Sequence, residues 1–233
     1  FHSDPNAVRI TAQVGKASAN GFTRSFPLGD AEAQTKFKDG DMISVKADGQ
    51  DAVTYQLNNN EWQPQGGKFL KWESETMNFT AFYPASFNGT ITQPTEYTDE
   101  ASLAKADFMS FSGPQTNTNN SNNLTLTMER KMARVVVMID GFKDQYAGAT
   151  IDNVNSLSIC GVKAYKHSDN KFYALIKPCE AQNSATFISL DVAEGASKTT
   201  ETLAGIPALA AGNSYTYQLT VGKDKVSVSG ITV

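Results

Sequence analysis

Chemistry-bearing side chains are scarce in this chain. Among 233 residues there are two cysteines and two histidines, with His2 at the terminus and His167 in a turn-like run. That set does not supply the ligands of a typical zinc site. Charge is thin too: Asp, Glu, Lys and Arg make up 19%, against about a quarter in ordinary domains. The net charge is −4 with no basic cluster, which argues against nucleic acid or an anionic membrane surface as a partner. The longest apolar run, VVVMI at Val135–Ile139, has the length of a strand and falls far short of the about 20 residues that span a bilayer. Catalytic signatures are missing as well, with no GxSxG, no GxxxxGK and no calcium loop. Asp39 and Asp41 in KDGD stand where a tight turn wants Asp and Gly, not as the facing carboxylates that glycoside hydrolysis requires. No enzyme, cofactor or metal is expected.

What is present is period-two alternation, the mark of a half-buried strand. It runs through Ala7–Val14, Asp41–Ala47, the Ala52–Pro64 hairpin with its NNN turn, and Thr76–Pro84. In Thr76–Pro84, Met77, Phe79, Ala81 and Tyr83 share one face, and Pro84 stops the ladder. Further strands are predicted at Leu124–Met128, Ala133–Ile139, Ser156–Tyr165, Lys171–Ile176, Ala185–Val192, Ser214–Val221 and Lys225–Val233, with HSDN and GKDK as hairpin turns. One short helix fits Thr98–Phe108, capped by Thr98. Eleven or so short strands without βαβ alternation predict an all-β fold of sandwiches. A chain of this size buries roughly 70–75% of its unfolded surface and needs no disulfide to fold. Gly113–Asn123 (GPQTNTNNSNN) carries no charge and no hydrophobic side chain. It reads as a surface loop or linker; as a linker it divides the chain into residues 1–122 and 123–233, and the competing reading is a long loop within one sandwich.

Three readings stay open on the residues alone. Cys160 and Cys179 fit two buried free thiols or a disulfide, which only their geometry decides. Trp62 and Trp72, with Tyr55 and Tyr83, fit a sandwich core or a sugar-stacking platform. The opening FHSDPN shows no signal-peptide pattern and reads as a start from which a targeting segment has been removed.

Several segments in order resemble the fimbrillin-like family, the fimbrial subunits of anaerobic gut and oral Gram-negative bacteria. They are FKDGDMISV (Phe37–Val45), TYQLNNNEWQP, LKWESETMNFTAFYP (Leu70–Pro84), DFMSFS (Asp107–Ser112) and MERKMARVVVMI (Met128–Ile139). The family pattern has Trp, Tyr and Leu where this chain has Phe37, Phe82 and Phe108. The resemblance implies two tandem transthyretin-like, Greek-key sandwiches. It also implies a lipoprotein leader to the outer membrane, a place on the cell surface, and other fimbrial subunits as partners, with a host surface protein or glycan as a further one. In stalk members a protease cuts after an Arg and frees an early strand, and a strand from the next subunit fills the groove. Arg24–Ser25 is the candidate processing bond here, and Ala7–Val14 the candidate removed strand. The candidate donor is the C-terminal strand. Val226 and Val228 share a parity that Ile231 and Val233 lack, and a bulge at Gly230 would bring all four to one face. Because the tight GKDK turn joins it to Ser214–Val221, the same strand is expected to complete its own second sandwich, with donation to a neighbour as the other reading. The alternative function is a surface glycan-binding lipoprotein that uses Trp62 and Trp72.

Overall fold

Alternation alone places most strands of the computed structural model, which describes residues 1–15 and 36–233. In chain order these are β1 (Arg9–Val14), β2 (Met42–Ala47), β3 (Val53–Asn58), β4 (Glu61–Pro64), β5 (Thr76–Tyr83), β6 (Met109–Thr116), β7 (Asn123–Arg130), β8 (Ala133–Phe142), β9 (Val154–Ile159), β10 (Val162–Lys163), β11 (Tyr165–Lys166), β12 (Lys171–Ile176), β13 (Gln182–Glu194), β14 (Ser197–Ile206), β15 (Ser214–Val221) and β16 (Val226–Thr232). One helix, α1 (Glu100–Ala106), stands between β5 and β6. The cap is not Thr98: Asp99 Oδ1 accepts from the Ser102 N–H at 2.7 Å, and Ser102 Oγ accepts from Asp99 N–H at 3.2 Å. Reciprocal bonds of this kind satisfy the open amides of a first turn.

Contacts divide the described chain into two compact units, one of residues 1–15, 36–91 and 107–131, the other of 92–106 and 132–233. The boundary expected at 122/123 is displaced, because Gly113–Asn123 is no linker: Gly113–Thr116 lie in β6 and Asn123 opens β7. The loop between them orders itself through amides. Asn122 N–H donates to Asn117 Oδ1 at 2.8 Å, Asn117 Nδ2 donates to Asn122 Oδ1 at 3.0 Å, and Trp72 Nε1 donates to Asn122 O at 3.0 Å. Backbone at positive φ (Asn119, Asn120, Asn122) suits asparagine among non-glycine residues. Local bonding holds the loop where apolar burial cannot.

The first unit is a seven-stranded sheet in the order β1-β7-β6-β5-β2-β3-β4. β6 pairs with β5 along its length but with β7 only through Met109–Arg130 and Ser110–Glu129, so the sheet turns there. Val8, Ile10 and Val14, with Leu124, Leu126 and Met128 of β7, then share one core with Ile43, Val45, Tyr55, Phe79 and Ala81. At the turn, Arg130 Nε lies 3.6 Å from Asp107 Oδ2, both side chains buried.

The second unit has a four-stranded sheet, β10-β9-β13-β14, and a five-stranded one, β11-β12-β8-β15-β16. Phe187 of β13 meets Tyr217 of β15 edge to face at 5.0 Å, so the inner faces of the two sheets meet. The strand expected over Ser156–Tyr165 is broken into β9, β10 and β11. Cys160 and Gly161, both at positive φ, make the two-residue turn between Ile159 and Val162. Residues 92–106 belong to this unit: Gln93 Nε2 donates to Leu175 O at 2.9 Å, and α1 buries Leu103 and Ala106.

Candidate functional site

The site proposed from sequence for subunit contact, β16, is paired antiparallel with β15. Val226 lies across from Val221, Val228 from Leu219, Gly230 from Gln218 and Ile231 from Tyr217, with Ser229 left over as a bulge between Val228 and Gly230. Leu219 and Val221 are fully buried on the inner face. The bulge therefore turns Val226, Val228 and Ile231 to that same face, as the parity of the sequence predicts. A Cβ at Gly230 would stand 2.5 Å from Gln218 Oε1, the far end of a flexible side chain that would have to shift.

Facing inward does not bury this strand. Val226 is covered, but Val228 is 40%, Ile231 57% and Val233 53% exposed. The one other large hydrophobic this exposed among the described residues is Met42. The turn before β16 is pinned by side chains: Lys223 Nζ lies 3.0 Å from Glu194 Oε2, and Gln145 Nε2 donates to Asp224 Oδ2 at 3.0 Å. Beside them Tyr146 donates to Glu201 Oε1 at 2.7 Å, and burial, seconded by that carboxylate, pushes the phenol's pKa well above its usual value. The covered end of β16 is thus the turn end.

Open edges invite pairing, and proteins blunt them with charge, proline or brevity. The other edge strands here are all blunted: β1 carries Arg9, β4 carries Glu61 and Pro64, β10 and β11 are two residues long with Lys163 and Lys166, and β14 carries Lys198 and Glu201. β16 reads VSVSGIT, with no charge and no proline, and the bulge at Ser229 is the one such device it has.

The remaining candidates fall differently. Arg24 and Ser25 lie outside the described residues. The strand ahead of them, β1, runs parallel to β7 with Arg9 across from Asn123 and Val14 from Met128, and buries Ile10 and Val14. The stacking platform is corrected: Trp62 and Trp72 are 4% and 7% exposed and belong to the first unit's core. Trp62 packs edge-on against Phe37, and Trp72 against Phe79. Tyr55 is equally enclosed. Its oxygen accepts from Leu70 N–H at 2.9 Å, and burial pushes its pKa up to about 12. No disulfide joins Cys160 and Cys179; both are half-buried thiols. Burial first, then the neighbouring Cys179, pushes the Cys160 thiol up to about 11. Sequence reasoning missed the Asp107–Arg130 and Tyr146–Glu201 pairs, though both Asp107 and Arg130 stand inside the segments that carry the family resemblance.

Among the described residues are two surface clefts of about 300 Å³. One is lined by Asp51, Lys68, Phe69 and Lys71 among others, the second by Glu96, Lys163, Tyr165 and Lys166 among others. Each carries a single carboxylate, where glycoside hydrolysis needs a facing pair. Among the described residues no group of three or more His, Cys, Asp or Glu is placed to hold a metal. No described helix is long and apolar enough to cross a membrane.

A sequence profile described as fimbrillin-like matches residues 23–233. No curated protein matches the chain. Among solved structures, a protein of Bacteroides uniformis assigned to cell adhesion superposes with a TM-score of 0.60 at 16% identity, covering 98% of this chain and 99% of that one. A Bacteroides ovatus protein, likewise assigned to cell adhesion, gives 0.63 at 12% identity over 97% and 96%. A fimbrial protein of Bacteroides ovatus gives 0.58 at 18% identity, and the 93% of this chain that aligns spans half the length of that protein. At such identities the likeness is one of fold.

Proposed function

The chain belongs to the fimbrillin-like family, and from that premise we propose that it is a non-enzymatic structural or adhesive subunit of cell-surface fimbriae. In this reading its two units are transthyretin-like sandwiches, a lipidated leader delivers it to the outer membrane, and it joins other subunits by β-strand donation. The donor is the segment Val226–Val233, and the acceptor is the slot β1 leaves once the chain is cut at Arg24–Ser25.

The observation that carries the reading is the distribution of exposed apolar side chains. Three of the four large ones among the described residues are Val228, Ile231 and Val233, on or just past an edge strand without charge or proline. With 40–57% of each still exposed, burial in a neighbour would contribute about half of the ~1.5–3 kcal/mol of a full burial, before ordering costs, and the same backbone would fill a second ladder. Head-to-tail contacts of this kind do not close, and so they build filaments. The glycan-binding alternative loses its support, because the rings it needed are in the core.

The test is immuno-electron microscopy of the native host with antibody to the second unit, beside a strain whose chain lacks Lys225–Val233. Labelled filaments in the first, and a folded but unincorporated chain in the second, are expected. A surface chain that never enters a filament overturns the subunit reading. Filaments that tolerate the deletion overturn the donor assignment. N-terminal sequencing of the incorporated chain tests the cut: a start before Arg24 overturns it.

A further inference from the structure

Donation explains why β16 would leave its sheet, but not what covers it while it stays. Two observations bear on that. The first is its open side: β16 ends the five-stranded sheet, so alternate N–H and C=O groups along Val226–Thr232 point away from β15 with no described strand beyond them. The second is a symmetry in the strand itself. With Ser229 bulged out, Val226, Val228 and Ile231 lie on the inner face, and Ser227, Gly230 and Thr232 on the outer. Turn a second copy of β16 about a two-fold axis passing between Ser229 and Gly230. Val228 then lies across from the second copy's Ile231, and Ser227 across from its Thr232. Apolar meets apolar on one face, hydroxyl meets hydroxyl on the other, and no charge approaches another. Without the bulge Val228 and Ile231 would project to opposite faces, and the match would fail.

We infer that a chain whose β16 lies in its own sheet pairs along this edge, antiparallel, with β16 of a second copy. Cross-strand pairs are the unit of such stabilisation, and each Val228–Ile231 pair occurs twice in a two-fold contact. A seven-residue strand pair is small beside the ~800 Å² per partner of a standard interface, so the dimer is weak and forms with rising concentration. The contact is isologous and closes on itself. It goes beyond the fimbrial reading, and it competes with donation: a β16 held between two five-stranded sheets is not available to a third subunit.

Sedimentation equilibrium of the full chain tests it, with Val228→Lys and Ile231→Glu variants, both at exposed positions, and far-UV circular dichroism as the check on folding. The wild-type chain should dimerise as concentration rises. Each variant alone should loosen the dissociation constant by about tenfold, an affected pair occurring twice per dimer. An equal mixture of the two should regain near-wild-type association, because the introduced lysine faces the introduced glutamate while the other Val228–Ile231 pair is intact. Mixing Val228→Lys with Val228→Glu should give no recovery, since position 228 does not face itself. A wild-type chain monomeric at its highest soluble concentration overturns the inference; so does a dimer indifferent to Val228→Lys, or a mixture that fails to recover. The two readings separate cleanly. Fimbriae assembled from a chain that stays monomeric in solution overturn only the pairing, whereas a dimer that never enters a fimbria overturns only the function.

Discussion

Among the described residues β1 and β16 are each the last strand of a sheet, paired with a strand on one side, and they place their apolar residues in opposite circumstances. β1 buries Ile10 and Val14, with Val8 just before it, under the strands of its own unit, and turns Arg9, Thr11 and Gln13 outward. β16 has the same kind of alternation and the same inward direction, yet only Val226 is covered. Position at an edge therefore does not decide burial; the layer across from the inner face does. For β1 that layer closes over, so side chains hold the strand, at ~1.5–3 kcal/mol each. β16 runs past what covers it and is held mainly by backbone hydrogen bonds, whose net worth is ~0.5–1.5 kcal/mol apiece. The second kind of strand is the one that can exchange partners.

The difference should be largest under truncation. Ile10→Ala is expected to destabilise the first unit by about 2–4 kcal/mol, the cost of deleting buried aliphatic atoms and leaving a cavity. Both tryptophans of the chain, Trp62 and Trp72, belong to that unit, so tryptophan fluorescence in urea reports it separately. A loss under about 0.5 kcal/mol would break the comparison, placing β1 beside β16.

Alkaline pH sharpens it by a smaller amount. Tyr55 lies in the core that β1 helps to close, and burial raises its folded pKa from 10.0 to about 12, partly offset by the bond from Leu70. A raised folded value means stability fully present below pH 10 and lost as pH rises toward 12. The share lost by pH 11 is about 1.4 kcal/mol, near one unit of pH-linked free energy. Tyr55→Phe should flatten the fluorescence-detected decline between pH 10 and 12, while the raised phenols of Tyr146 and Tyr173 leave the second unit's decline in place.

Much of this contrast was legible in the residues. The alternation in Thr76–Pro84 and the parity break at Gly230 both survive in three dimensions, because side-chain period and strand geometry are the same fact. Burial was not legible. VSVSGITV reads as half-buried whether or not a layer lies across from it, and a platform of aromatic rings reads like a core. Gly113–Asn123 misled for a different reason: composition counts apolar burial, whereas Asn117 and Asn122 order their loop through amide bonds to each other. β14 escaped notice because SKTTETLAGI lacks strict alternation, and Glu201 on its inner face is buried only by virtue of Tyr146. The Cys160–Gly161 turn was hidden by a residue seldom found at positive φ.

Within β16 the expected effects are smaller still. Gly230→Ala pushes a methyl against Gln218 Oε1, the far end of a flexible side chain, and should cost about 0.5–1.5 kcal/mol, the scale of an off-rotamer side chain. Gln218→Ala in the same chain should recover most of that, the non-additivity expected of residues in contact.

The smallest effect is the most informative. Ile231 is large, apolar and inward-facing, and on sequence pattern its loss should resemble that of Ile10. At 57% exposure it has little burial to forfeit, so Ile231→Ser should change the stability of the dilute monomer by no more than about 0.5 kcal/mol. Far-UV circular dichroism in urea at low concentration measures this. If the substitution instead costs 2 kcal/mol or more, the scale of a core truncation, β16 is a core strand like β1, and the reason for expecting it to seek a partner is gone.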